Sequence, residues 1–152
     1  MADWHKRFMD LAVHISQWSK DASRKTGCVI VGSAGEIRTT GFNGFPRGCN
    51  DSVALRNQRP DKYAWTEHAE RNAIYNAARI GVSLEGCAAY IPWYPCADCA
   101  RALIQSGIKT LVAFKPDFND PKWGADFTVV GVMLFEAKVK VIFLEGSIGE
   151  AK

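Results

Sequence analysis

Two short stretches decide how this chain is interpreted, and they read Thr66-Glu67-His68-Ala69-Glu70 and Tyr94-Pro95-Cys96-Ala97-Asp98-Cys99. Each stands where a helix is predicted to begin, and one helix and one strand lie between them. The first supplies an imidazole and the second supplies two thiols, which are good zinc ligands. A structural zinc usually has four protein ligands, whereas a catalytic zinc has three and one water. We therefore predict a catalytic zinc on His68, Cys96 and Cys99.

Glu70 follows the imidazole by two residues, so it lies near the metal without being needed as a ligand. A carboxylate in that position can accept a proton from water and later deliver it, which is general acid and base catalysis. The spacing His-x-Glu followed by Pro-Cys-x-x-Cys is the signature of zinc deaminases. The corresponding reaction is the hydrolytic loss of ammonia from an aminated ring.

Less specific interpretations of the same residues remain. A Cys-x-x-Cys pair by itself also occurs as a redox pair, and an isolated His-x-Glu occurs by chance. Cys87 offers a possible fourth ligand, which would close a purely structural zinc site. In that case the chain would be a zinc-stabilised binding module rather than an enzyme.

The bulk composition limits the class of protein. A chain of 152 residues with 47% hydrophobic residues suits a single domain spanning 1–152. The net charge of +3 is too small to indicate a nucleic-acid partner. No apolar run is long enough to span a membrane, and the N-terminus does not resemble a signal peptide. Five cysteines, an odd number, favour a reducing, cytoplasmic location with metal chemistry.

The periodicity of apolar residues predicts an α/β fold in which a mixed sheet lies between helices. Asp3 is expected to cap the first helix, and Thr66 to cap the helix that ends at Gly81. Residues 49–65 are predicted to be an exposed excursion. The other predicted elements are a hairpin at 27–31 and 37–42, strands at 87–91, 110–114 and 139–144, and helices at 96–107 and 127–137.

A glycine-rich loop follows the hairpin and reads Gly41-Phe42-Asn43-Gly44-Phe45-Pro46-Arg47-Gly48. Glycines allow a backbone to approach a ligand closely. Asn43 can supply hydrogen bonds, and Arg47 can supply a contact to phosphate. An ordinary turn-rich loop is the simpler interpretation of this segment on composition alone.

Taken together, these motifs resemble the deoxycytidylate (dCMP) deaminases of the cytidine deaminase superfamily. The resemblance covers most of the chain. The zinc motif identifies the superfamily, and the glycine-asparagine loop is similar to that of the dCMP branch. The matching segments are Val29-Ile30-Val31, Gly41 to Gly44, Pro46-Arg47-Gly48, His68-Ala69-Glu70 with Asn72-Ala73-Ile74, and Pro95 to Ala100.

The resemblance implies a three-layer α/β/α fold with a five-stranded sheet and zinc-dependent conversion of dCMP to dUMP. Glu70 would be the proton shuttle beside zinc. By the same similarity Asn43 would bind the sugar, and Ala69 would contact the pyrimidine through its backbone. Arg24 is the candidate for the 5′-phosphate, with Arg47 as the alternative.

Members of this family commonly form hexamers, and many are activated by dCTP and inhibited by dTTP. Gly44 and Arg79 fall at positions similar to the effector region of the family. Some relatives bind a second, structural zinc, but residues 50–67 contain no Cys or His, so that metal is not expected. The loop at 115–126 differs from the family pattern.

The main alternative is a zinc deaminase of another base or nucleotide, such as a substituted dCMP, guanine or an adenosine. Such enzymes share the His-Ala-Glu and Pro-Cys-x-x-Cys elements. The modest charge argues against a nucleic-acid substrate, which usually requires a basic groove with stacking aromatic residues.

Overall fold

The computed structural model describes residues 3–147, in which five strands form one sheet with helices on both faces. A turn of 3-10 helix lies at Ala54–Asn57. Among the described residues no helix is long and apolar enough to cross a membrane. In chain order the elements are α1 Trp4–Ser16, β1 Gly27–Val31, β2 Ile37–Phe42, α2 Lys62–Trp65, α3 Ala69–Ile80, β3 Ala88–Ile91, α4 Ala97–Gln105, β4 Thr110–Phe114, α5 Gly124–Glu136 and β5 Lys140–Leu144.

The strand order across the sheet is β2-β1-β3-β4-β5. The predicted hairpin of β1 and β2 is antiparallel, and β1 also pairs with β3 in the antiparallel sense. The pairs β3-β4 and β4-β5 are parallel, and each is connected through a helix. The mixed five-stranded sheet is therefore confirmed.

Alternate residues of each strand face opposite sides of the sheet, and each side has its own core. On one side Val29, Val31, Tyr90 and Val112 pack under the apolar face of α1. On the other side the inward residues of the strands pack with α3, α4 and α5 in a larger core. One helix on one face and three on the other make the predicted three-layer α/β/α arrangement.

One detail of the predicted secondary structure was wrong. Thr66 does not cap α3; it ends the short α2, and α3 begins at Ala69 with His68 in the N-cap position. The segment 49–65 is largely exposed, as predicted, and it also contains the 3-10 turn and α2. Trp65 at its end stacks on Phe45 with ring centroids 5.9 Å apart, which fixes the segment against the glycine-rich loop.

A glycine at position 41 lets α3 lie directly against β2. A Cβ atom there would be 2.4 Å from the carbonyl oxygen of Ala69 and 2.4 Å from the backbone nitrogen of Ala73. Both neighbours are backbone atoms of α3, so no side-chain rotation relieves the clash. The close approach places the first turn of α3 at the edge of the sheet.

We expect Gly41→Ala to lower the free energy of unfolding by about 1–3 kcal/mol, the usual effect of overpacking a well-packed core. Urea unfolding measures the change. Gly44→Ala is the matched control, because a Cβ at Gly44 meets nothing within 4 Å. Equal stability of the two variants would contradict the tight contact between β2 and α3.

Candidate active site

The first metal-binding residue of each of the two short stretches, His68 in one and Cys96 in the other, occupies the N-cap position of a helix. His68 precedes α3 and Cys96 precedes α4, both with extended backbone angles and without a side-chain capping bond. Cys99 is the third residue of α4, and an N-cap side chain naturally faces that position in the first turn. The Cys-x-x-Cys spacing at a helix start therefore brings its two sulfur atoms to the same side.

The three predicted ligands form one cluster. His68 Nδ1 lies 3.6 Å from Cys96 Sγ and 3.4 Å from Cys99 Sγ, and all three donor atoms lie within 4.8 Å of one another. In a tetrahedral zinc site, bonds of about 2.0–2.1 Å to nitrogen and 2.3 Å to sulfur separate these atoms by roughly 3.6 Å. The donor set and its spacing fit a zinc ion with one remaining position.

Cys87 does not belong to this cluster. Its side chain is buried in the larger core, and its thiol lies 3.9 Å from the carbonyl oxygen of Glu85. The alternative of a closed structural site with Cys87 as fourth ligand was wrong. Cys87 and Cys28 are both core residues, as expected for cysteines in apolar runs.

The two thiols of the cluster differ in acidity when no metal is bound. A hydrogen bond from Cys99, helped by His68, lowers the pKa of Cys96 to about 4. The same pairing with Cys96, reinforced by burial, raises the pKa of Cys99. A hydrogen bond with Cys96 also raises the pKa of His68. A metal cation requires deprotonated thiols, so its binding would release the Cys99 proton.

Glu70 is the buried acid of the site. Only 4% of its surface is exposed, yet its side chain reaches the cavity beside His68 and Cys96. Burial raises the pKa of its carboxyl group, because a charged form is poorly solvated there. A pKa nearer neutrality suits a group that must both accept and deliver a proton.

A cavity of about 190 Å³ opens above the cluster. Its floor includes His68, Cys96 and Glu70, and its wall includes aromatic rings from three segments. Its lining also includes four cationic side chains among the described residues. The aromatic residues are Tyr63, Trp93, Tyr94, Trp123 and Phe127, and the cationic residues are Arg24, Arg59, Lys62 and Lys122.

Three of the predicted substrate residues line this cavity, namely Arg24, Asn43 and Ala69. The guanidinium of Arg24 lies over the ring of Trp93, with its carbon 4.4 Å from the ring centroid. The side chain of Asn43 is buried, and it accepts a hydrogen bond from the N–H of Thr26 and donates one to the carbonyl of Arg24, each 2.8 Å long.

The other predicted residues lie away from the cavity lining. Arg47 is exposed and donates a hydrogen bond to the side chain of Asn76 on α3. Gly44 forms two backbone hydrogen bonds with Glu67. Arg79 is exposed in the last turn of α3. The structure does not bring these three residues together with the zinc cluster.

The sequence did not predict several of the charged residues that line the cavity. Asp21, Lys62 and Lys122 line the cavity, but they come from segments far apart in the chain. Lys62 lies within the segment predicted to be exposed, and 41 positions separate it from its partner Asp21. No spacing pattern in the sequence joins such residues. The only local signal was an Asp two residues before a Ser, which is typical of a side-chain-capped turn.

Comparison with known proteins gives the family of this chain. Residues 2–115 match the family model described as the cytidine and deoxycytidylate deaminase zinc-binding region. The chain is 38% identical over 147 residues to an uncharacterized deaminase of Aliivibrio fischeri, covering 95% of each. It is 36% identical over 123 residues to a deoxycytidylate deaminase of Homo sapiens, covering 78% of this chain and 68% of the relative.

Solved structures give the same result. The dCMP deaminase of cyanophage S-TIM5 in its apo form superposes with a TM-score of 0.74 at 26% identity, covering 95% of this chain and 100% of that one. Its complex with dCMP and dUMP superposes with a TM-score of 0.72 at 25% identity, covering 91% and 95%. On this evidence the chain belongs to the cytidine and deoxycytidylate deaminase family, whose zinc-binding region it carries.

Proposed function

We propose that this chain is a zinc-dependent deaminase that hydrolyses dCMP to dUMP and ammonia. The observation that carries the proposal is a buried carboxylate, Glu70, beside a His-Cys-Cys cluster in a cavity whose lining also includes cationic side chains. A cavity that combines an acid and metal ligands with cationic side chains suits an aminated ring that carries a phosphate. The deoxycytidylate deaminases among its relatives support the choice of base and sugar.

His68, Cys96 and Cys99 would hold a zinc ion, which would supply a Lewis acid that lowers the pKa of water to about 7 in favourable sites. Glu70 accepts the first proton of the attacking water and delivers it to the ring nitrogen. It then takes the proton of the new hydroxyl group on the ring carbon and delivers it to the departing amine. One water is consumed, the carbon–nitrogen bond to the amine breaks, and ammonia leaves as the carbonyl of uracil forms.

Backbone and amide groups would orient the nucleoside. Ala69 stands in the first turn of α3, where backbone N–H groups have no partner within the helix. We assign to it the backbone contact with the pyrimidine. Asn43 uses one of its two amide hydrogens on the carbonyl of Arg24, and we assign the other to a sugar hydroxyl.

The 5′-phosphate is assigned to Arg24. Its guanidinium stacks on Trp93 at the cavity rim, which leaves its N–H edge free of the ring and suited to two hydrogen bonds. Arg47, the alternative, lies outside the cavity lining and bonds to Asn76. We therefore keep Arg47, with Gly44 and Arg79, as candidates for contact with dCTP and dTTP effectors or with a second subunit.

An oligomer, with a hexamer favoured by the family resemblance, is also proposed. Helix α5 is apolar on nearly every side, and such a helix is normally buried. It nevertheless exposes Val129, Val132 and Phe135 by 55%, 54% and 82%. A contiguous exposed apolar surface marks an interface. Sedimentation of the purified protein tests this proposal, and a monomer would contradict it.

We also propose how much of the chain the enzyme domain spans and where the enzyme is located. One sheet with a core on each face supports a single deaminase domain over 1–152. None of the five cysteines forms a disulfide, which supports a reducing, cytoplasmic location. The substrate is tested by measuring ammonia release from dCMP, CMP, deoxycytidine, AMP, guanine and 5-substituted dCMP. Activity on guanine or AMP instead of dCMP would overturn the assignment of dCMP as the substrate.

The purified protein is expected to contain one zinc ion per chain, and Cys96→Ala should lose nearly all of it, because the other two ligands cannot hold the metal alone. Elemental analysis measures the content. Cys49→Ala is the matched control, since Cys49 is exposed and lies outside the cluster. Full zinc content in Cys96→Ala would contradict the assigned ligands.

Glu70→Gln should lower kcat for dCMP by about a hundred- to ten-thousand-fold, the usual contribution of a positioned acid or base. The amide retains the shape of the side chain and is not a ligand, so zinc content and melting temperature should be retained. Steady-state kinetics give the rate, with the exposed Glu145→Gln as control. Normal turnover of Glu70→Gln would mean that another group moves the proton.

We expect dCMP to be preferred over deoxycytidine in kcat/KM by about ten- to a hundredfold, the effect of a charge-assisted hydrogen bond. Arg24→Ala should remove most of this preference. The exposed Arg101→Ala on α4 serves as control. If Arg24→Ala keeps the preference and Arg47→Ala loses it, the assignment of the phosphate to Arg24 is wrong.

A further inference from the structure

An ion pair between Asp21 and Lys62 lies in the wall of the cavity. The Lys62 ammonium is 3.0 and 2.9 Å from the two carboxylate oxygens, and it is 2.5 Å from the hydroxyl oxygen of Ser23. The exposed fractions of the two charged side chains are only 13% and 11%. The chemistry assigned to Glu70 and zinc uses neither of them, so their partly buried charges call for another role.

Asp21 organises the segment that carries Arg24. One carboxylate oxygen accepts hydrogen bonds from the N–H of Ser23, the hydroxyl of Ser23 and the N–H of Arg24, at 2.8, 2.9 and 3.1 Å. Burial disfavours its charge, but the bonds from Lys62 and from these groups outweigh it and lower the pKa of Asp21 to about 2. Asp21 therefore stays charged, and the turn stays closed, throughout the neutral range.

The backbone of Arg24 is consequently held on both sides. Its N–H donates to Asp21, and its carbonyl accepts the 2.8 Å hydrogen bond from the buried Asn43. With the backbone fixed, stacking on Trp93 restricts the guanidinium at the far end of the side chain. An arginine ordered in advance loses less conformational entropy when it binds an anion.

Lys62 connects this turn to the metal end of the site. It begins α2, and its carbonyl accepts the N–H of Thr66, two residues before His68. Glu67, between them, is joined by two backbone hydrogen bonds to Gly44 in the loop that contains Asn43. The Lys62–Asp21 pair thus fixes the turn bearing Arg24 relative to the segment that leads into the zinc cluster.

We propose that Lys62 is a positioning residue for phosphate recognition: through Asp21 it holds the turn 21–24 so that Arg24 meets the 5′-phosphate of the bound nucleotide. The proposal rests on the proposed function and deepens it by adding the origin of the nucleotide preference. A partly buried ion pair is weak evidence of a stabilising role by itself, because desolvation offsets much of the attraction. A role in ordering Arg24 gives the pair a reason to lie in the cavity wall.

The chain provides a matched control pair. Lys20 and Asp51 are 2.8 Å apart and connect the same two regions of the chain. Lys20 is 81% exposed, Asp51 is 37% exposed, and neither lines the cavity. If an ion pair served only to hold the two regions together, the loss of Lys20 and the loss of Lys62 would have the same effect on the nucleotide preference. If the role is to position Arg24, only the loss of Lys62 has an effect.

The experiment measures kcat/KM for dCMP and for deoxycytidine in the zinc-loaded enzyme. We expect Lys62→Met to lower the dCMP-to-deoxycytidine ratio about tenfold, mainly through a higher KM for dCMP. Asp21→Asn removes the other partner of the ion pair and should lower the ratio by a similar factor. It also serves as the test variant if Lys62→Met does not fold. Lys62→Arg should restore part of the ratio, and Lys20→Met should leave it unchanged.

A double-mutant cycle separates positioning from direct contact. If Lys62 acts through Arg24, Lys62→Met in an Arg24→Ala background should change the ratio by less than about twofold, because coupled residues are not additive. Three results would each overturn the proposal. The first is an equal tenfold loss in the Arg24→Ala background, and the second is an unchanged ratio in folded Lys62→Met and Asp21→Asn. The third is an effect of Lys20→Met equal to that of Lys62→Met. A wild-type enzyme without preference for dCMP would instead overturn the proposed function.

Discussion

The convergence of two helix N-termini at one edge of the sheet is the constraint on which the site depends. His68 and Cys96 are both N-cap residues, so their side chains leave the helices where backbone N–H groups and the partial positive charge are concentrated. That field opposes the burial that raises the pKa of Glu70, but it does not outweigh it. The ligands meet because Gly41 lets α3 lie directly against β2 and because α4 follows β3, which only β1 separates from β2.

Supporting contacts fix the two helix starts. Asp126 of α5 accepts a hydrogen bond from the N–H of Ala97, 3.1 Å away, at the first residue of α4. Glu67 accepts one from the N–H of His68 at 2.9 Å and pairs with Arg71. A metal site of three ligands loses activity when its geometry loosens, so such neighbours matter as much as the ligands.

The cavity lining combines groups of both charges. Glu70 and the cluster thiol of Cys96 can become anionic, and four cationic side chains line the same cavity, one of them paired with Asp21. A nucleotide offers a complementary pair of groups, an amine-bearing ring and a phosphate. The small net charge of +3 hides this arrangement, because local charge and not total charge decides recognition.

The sequence by itself predicted the strands and helices, their order along the chain and the residues of the zinc cluster, because the elements follow from periodicity within each segment and the ligands from two short motifs. His68 with Glu70, and Cys96 with Cys99, are near neighbours whose geometry follows from a single helix turn. Only the tertiary structure decided the start of α3 at Ala69, the exclusion of Cys87 and Arg47 from the site, and the pairing of Asp21 with Lys62. Those outcomes depend on how segments far apart in the chain pack together, and the periodicity of a sequence does not indicate which distant segments come into contact.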